Sequence, residues 1–294
     1  MTDVHDDALP SNWGRWGDAD QIGALNRIDD SARLRAAGEV RTGISVSLAR
    51  ETAPTPLTTG LGPVGSPGTV PAPVMQVVNF NGVKPMAITD SLLINTHNAG
   101  LTHVDALSHI PAGDEVYPGV KLPDAITPTG VRHGSADHLA AGVVTRAVLL
   151  DLAPGGGRLD ATHRVNAADL DAALERAGTV LHPGDAVIVR GGWDVNQPMS
   201  QPAPGLDLTA VTWLDEHGAA LYIGDISDPR PMSVPMPMHQ VALARLGLPL
   251  VDAADLADLA TQCEAVQRWS FMLVLAPPRI TGTTGLAVNP IAIF

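Results

Sequence analysis

The stretch Asn95 to Ile110, N-T-H-N-A-G-L-T-H-V-D-A-L-S-H-I, carries three histidines and one aspartate within thirteen residues: His97, His103, Asp105 and His109. The rest of the run is small and apolar, so these polar groups stand where composition predicts core. His103 and Asp105 are two residues apart, and side chains at i and i+2 of an extended backbone share a face, so the pair can share one ligand. Glycine in the Asn98-Ala99-Gly100 turn lets the chain fold His97 back toward them. Two imidazoles and a carboxylate suit Zn²⁺ or Mn²⁺, with a coordination position left for water. His109 follows Asp105 by four residues, one helical turn, and can overhang the ion without ligating it. An unligated imidazole there can take a proton from an acidified water and return it to a leaving nitrogen. The predicted chemistry is hydrolysis of a small amide, N-formyl group or lactam. Taken singly, each histidine also suits a hydrogen-bonded place in an ordinary core.

With these residues in view, the segment T-H-V-D-A-L-S-H resembles the signature H-x-G-T-H-x-D-x-x-x-H of the metal-dependent hydrolases called the cyclase family, which includes bacterial kynurenine formamidase and isatin hydrolase. The family's first histidine falls at Ala99 here, and His97 is read as the same ligand delivered by a turn two residues longer. The resemblance runs along nearly the whole chain. G-G-W-D at 191–194 is similar to the family's T-G-W element, with Gly191 in place of the threonine. A-A-L-Y-I-G-D-I-S is similar to its strand ending in G-x-D-x-x-S, which implies Asp225 or Asp228 near the site. The ending A-P-P-R-I-T-G-T-T-G-L-A-V-N-P is similar to the family's own. In binuclear members a later histidine and glutamate complete a second metal position. His239 matches the first, and Asp252 stands where the glutamate belongs, either as a ligand or as a hydrogen-bond partner of His239.

The resemblance implies a swivelling β/β/α fold, a homodimer or homotetramer, and a metal-dependent amidohydrolase acting on C–N bonds. The family's name also implies an alternative: a metal-dependent cyclase or dehydratase acting on a small ketone or polyketide-type substrate. A metal-loaded binding module and a metal-free structural protein remain open on the residues alone.

Other elements must position this segment. Strand patterns fall at 43–50, 74–80, 87–95, 139–152, 186–190, 219–224 and in the C-terminal F-M-L-V-L run. Helical patterns fall at 31–38, 166–177, 209–217 (capped by Thr209) and from His239 to Gly247. Their irregular alternation predicts an α/β fold with a mixed sheet, divided into an N-terminal arm with a short helix over 1–40 and one catalytic domain over 41–294. A Pro/Gly/Thr-rich loop at 52–73 is read as a lid. Trp13 and Trp16 near the N-terminus form either a docking arm or, as the resemblance implies, a contribution to a pocket across a subunit boundary. Trp13, Trp16, Trp193 and the methionine-rich stretch 232–238 are candidate walls of an apolar substrate pocket.

The chain has 294 residues and a net charge of -13, from 18 basic against 31 acidic residues. Such a charge disfavours nucleic acid and anionic membranes as partners and leaves a small-molecule substrate. A single cysteine, Cys263, excludes an intrachain disulfide, and the N-terminus has no signal-peptide pattern, so a cytoplasmic location is expected.

Overall fold

The aliphatic run around residues 143–151 becomes the middle of a nine-stranded mixed sheet. The computed structural model describes residues 9–56, 72–80, 84, 86–194, 197–198, 200–232 and 234–294. In chain order the sheet strands are β1 (Ser45–Ser47), β2 (His103–Asp105), β3 (Val143–Asp151), β4 (Ala186–Arg190), β5 (Leu221–Gly224), β6 (Leu250–Asp252), β7 (Ser270–Leu275), β8 (Gly285–Ala287) and β9 (Ile291–Ile293). They lie in the order β1-β9-β7-β3-β4-β5-β6-β2-β8. β3 to β6 are parallel, and the remaining pairs are antiparallel. Parallel strands are buried on both faces, which is why β3 and β4 read as nearly unbroken aliphatic runs.

Alternate residues of these strands feed two cores. Ala147, Leu149, Ile188 and Ile223 point to one, with Ala32 of α1 (Asp30–Gly38) and Leu259 and Cys263 of a later helix, Ala257–Val266. Val148, Leu150, Val189 and Tyr222 point to the other, with Leu170 of α2 (Ala167–Ala177), Trp213 of α3 (Leu208–Glu216) and Val241 and Leu243 of the helical segment that follows His239. α4 comprises Pro237–His239, continued by a π-helical turn over Gln240–Arg245; the helix Ala257–Val266 is α5. Cys263 is buried and burial pushes its thiol up to about 12, the signature of inert packing.

Several elements differ from the sequence reading. The strand expected over 43–50 shortens to β1 at the sheet edge, held by β9. Asp207, not Thr209, caps α3: its Oδ1 accepts from the backbone N–H groups of Thr209 (2.8 Å) and Ala210 (3.1 Å). The helix opened by His239 is π-helical after its first turn. Val74–Phe80 and Ile88–Ile94 are strands, but they pair with each other as an antiparallel ribbon, joined at its edge by Thr55–Pro56, in a sheet separate from the main one. Most of the expected lid, residues 57–71, lies outside the described residues. Among the described residues no helix is long and apolar enough to cross a membrane.

Candidate metal centre and active site

The sheet register brings the chemistry-bearing residues to one edge. β4, β5 and β6 run parallel, so Gly191, Asp225 and Asp252 emerge together at their C-terminal ends, the usual location of ligands in open α/β sheets. β2 lies antiparallel to β6 with His103 opposite Asp252, and Gly285 of β8 sits opposite Asp105 on the other side. His103 and Asp105 therefore share one face, as the i, i+2 spacing predicts. The ribbon strand Ile88–Ile94 leads directly into the turn carrying His97. The backbone N–H of His109 bonds to the Ala106 carbonyl at 2.9 Å, so His109 arrives on a tight turn and not on a helix.

Four imidazoles converge on the fully buried Asp105. His97 Nδ1 lies 3.0 Å, His103 Nε2 3.5 Å and His109 Nε2 4.0 Å from its Oδ1, while His239 Nε2 lies 3.4 Å from its Oδ2. The rings of His97 and His109 stack with centroids 3.6 Å apart. Supporting hydrogen bonds orient three of the four imidazoles. His103 Nδ1 faces the Leu101 carbonyl at 2.8 Å, which leaves Nε2 as the lone-pair nitrogen toward Asp105. His97 Nε2 meets Thr284 Oγ1 at 3.0 Å. His239 Nδ1 is held by Asp228 in a short hydrogen bond, and its Nε2 lies 3.1 Å from Asp252 Oδ2.

These groups fit a divalent cation. His97 Nδ1, both Asp105 oxygens and Asp252 Oδ1 are buried with no hydrogen-bond partner among the described residues, a costly state unless something else satisfies them. Two donor sets share Asp105: His97 with His109, and His103 with Asp252, each with donor atoms within 4.8 Å of one another. The electrostatics agree. Burial pushes the Asp105 carboxyl up, but the imidazoles of His239, His97 and His103 outweigh it and hold the group well below the usual carboxylate range. Burial pulls His239 down, and the carboxylates of Asp252, Asp105 and Asp228 reverse this and raise it well above its ordinary value. A field that holds a proton there also attracts a metal cation, which would displace that proton. For His109 burial prevails and lowers it to about 4, so its imidazole is neutral near pH 7.

Gly285 makes this packing feasible. A Cβ at that position would stand 2.6 Å from His97 Cε1 and 2.7 Å from the Val104 carbonyl oxygen. Gly285→Ala is therefore expected to push His97 off Asp105, lowering stability by about 1–3 kcal/mol and weakening metal affinity, read by thermal melts and metal titration.

The cluster floors a cavity of about 280 Å³ walled by Ala99, Trp193, Pro204, Ile226, Arg230, Met232 and Met236. His97, His103, Asp105, His109, Trp193, Asp225, His239 and Asp252 all line it. Asp225, expected as a substrate contact, accepts backbone N–H bonds from Gly191 (2.7 Å) and Trp193 (3.1 Å), so it holds the Gly-Gly-Trp loop. Burial raises its carboxyl to about 6. Trp13, expected either in a docking arm or in a pocket across a subunit boundary, docks on its own chain through its indole N–H to the Ala244 carbonyl at 2.7 Å and is not among the residues that line this chain's cavity. Trp16 instead lies against the guanidinium groups of Arg15 and Arg27. The sequence reading did not single out Thr284 or Ile226, whereas Gly285 was a candidate for close backbone approach. Ile226 fills the space beside Gly191, where a Cβ would lie 2.8 Å from its Cγ2, and gives the cavity an aliphatic wall there.

Residues 42–228 match the family model described as "Putative cyclase". No curated protein matches the sequence. Among solved structures, a crystal structure of a novel cyclase aligns with a TM-score of 0.83 and 26% identity, over 97% of this chain and 100% of that one. Isatin hydrolase A from Labrenzia aggregata, bound to benzyl benzoate, aligns with a TM-score of 0.60 and 18% identity over 88% of this chain and 96% of its own. An isatin hydrolase bound to the product analogue thioisatinate gives 0.58 and 16% identity over 90% and 98%. At those two identities the likeness is one of fold. The family match spans more than half of the chain and takes in His97, His103, Asp105 and His109, and the chain accordingly belongs to the cyclase family.

Proposed function

We propose that the chain is a metal-dependent hydrolase of small amides, N-formyl compounds or lactams with an apolar, aryl-sized body. The observation that carries this reading is the buried Asp105, its oxygens without hydrogen-bond partners and four imidazoles around it, at the floor of an apolar cavity of about 280 Å³. The residues that would hold a divalent ion, Zn²⁺ or Mn²⁺, are His97, His103 and Asp105, with His239 and Asp252 beside them. Such an ion supplies positive charge that polarises a carbonyl oxygen and acidifies water.

The chain's own residues do the rest. His109, kept neutral by burial, accepts the proton of the attacking water and delivers it to the departing nitrogen. Asp228 fixes the ring of His239, and Leu101 and Thr284 fix His103 and His97. Trp193, Ile226 and Met236 surround the apolar part of the substrate and exclude bulk water. The indole N–H of Trp193, buried with no partner among the described residues, is a donor for a substrate oxygen.

The test is turnover of a panel of N-formyl arylamines and cyclic amides, isatin included, by protein loaded with Mn²⁺ or Zn²⁺. Ring opening or deformylation that a chelator abolishes is the expected result. No turnover on any member, with metal bound, would sink the hydrolytic reading in favour of a cyclase or dehydratase.

A further inference from the structure

The π-helical turn that follows His239 ends in carbonyls that its own helix cannot satisfy. A helix leaves its last carbonyls without partners, and a π turn spaces its bonds five residues apart, as in Leu246 N–H to Val241 O at 3.0 Å. The N-terminal arm satisfies four consecutive carbonyls here. Trp13 Nε1 bonds to Ala244 O (2.7 Å), Asn12 N to Arg245 O (2.9 Å), Asn12 Nδ2 to Leu246 O (2.9 Å) and Ala24 N to Gly247 O (2.7 Å). The clasp works in both directions, because Arg245 Nη2 donates to the Leu9 carbonyl at 2.8 Å.

The contact is built for close approach. Gly23 and Gly247 both have positive φ, +55° and +62°, and a Cβ on Gly23 would lie 2.0 Å from the Gly247 oxygen. Asp20 caps the turn that presents Ala24, accepting from Gly23 N at 2.8 Å and Asn26 Nδ2 at 2.9 Å. Trp13 lies over Gly119, where a Cβ would stand 3.1 Å from its ring. At the other end of the same helix, His239 points its Nε2 at Asp252 and Asp105.

We propose that the arm formed by Asn12, Trp13 and Ala24 is a positioning device for His239, capping the π turn so that the imidazole is held toward Asp105 and Asp252 for metal binding. Trp13 and Asn12 act through His239 and touch neither substrate nor metal. The proposal rests on the reading of the Asp105 cluster as a metal centre.

The experiment is a Mn²⁺ titration by calorimetry on the full chain, freed of metal by chelation and dialysis. Four forms are compared: wild type, Trp13→Phe, His239→Ala and the double variant. Trp13→Phe keeps a ring over Gly119 and removes only the indole donor. The expected result is a Kd for Mn²⁺ raised about 3- to 10-fold by Trp13→Phe, the worth of one hydrogen bond. In the His239→Ala background the same change has no further effect, the non-additivity of residues acting through one another. Asn12→Ala supplies a second arm variant with the same expectation. Equal weakening in both backgrounds, or a lower melting temperature with Kd unchanged, would overturn the arm's role while leaving the metal centre intact. Wild-type protein that takes up neither Mn²⁺ nor Zn²⁺ would overturn the metal reading and the proposal together.

Discussion

Replacing His109 by alanine is expected to lower kcat about 10²- to 10⁴-fold, the usual contribution of a general acid–base, while the bound metal per chain stays unchanged. His109 is the most peripheral of the four imidazoles, with Nε2 4.0 Å from Asp105 Oδ1, against 3.0 Å for His97. It lines the cavity, and its ring is stacked on His97. The pH dependence follows from its buried position. Burial lowers its pKa to about 4, so the ring is neutral and able to accept a proton above that value and is progressively protonated below it. Activity therefore falls as the pH drops through that region, and a bound cation, being a like charge to imidazolium, moves this limb lower still. In His109→Ala the small residual rate no longer follows this limb. Metal lost along with activity would instead make His109 a ligand, since its donor atom also belongs to the set with His97 and Asp105.

Asp105→Asn is expected to weaken Mn²⁺ and Zn²⁺ binding by more than about 100-fold and to abolish turnover. Loss of a group that merely supports a ligand already costs about 10- to 100-fold, and Asp105 is the one carboxylate common to both donor sets. Asparagine keeps the shape and removes the charge, so the β2 ladder to Leu250 and Gly285 persists and circular dichroism stays that of the wild type. Without that carboxylate His97 Nδ1, His103 Nε2 and His109 Nε2 face one another with no anion between them. Metal affinity within tenfold of wild type would place the ion elsewhere.

Much of this centre was legible in the sequence because its core is local. His103 and Asp105 occupy alternate positions of one strand, and period-two geometry fixes their common face wherever that strand lies. His97 was legible as a residue with a turn behind it, but the space for its ring comes from Gly285, 188 residues later, through a strand register that no local pattern encodes. Asp252 opposite His103 has the same origin. Asp228 was one of two acidic candidates at the end of β5; only the fold shows that it holds His239 while Asp225 holds the Gly191–Trp193 loop.

The fold class followed from aliphatic runs and amphipathic periods, since buried parallel strands such as β4 announce themselves by composition. The ribbon of Val74–Phe80 and Ile88–Ile94 has the same propensities, and propensity does not say which partner a strand pairs with. The π turn after His239 was invisible because its residues suit an α-helix equally well. It is sustained by partners more than 200 residues away in the arm, where the Trp13 indole bonds to the Ala244 carbonyl, as in the docking-arm alternative that the sequence left open beside a pocket role.

The most direct test of the central claim is the position of the ion itself, from anomalous diffraction recorded at the Mn and Zn edges on crystals grown with each metal. The account requires a peak within bonding distance of an Asp105 carboxylate oxygen and of His103 Nε2, with His97 Nδ1 completing the set. A peak elsewhere on the chain, with Asp105 and its imidazoles only hydrogen-bonded to one another, would contradict it.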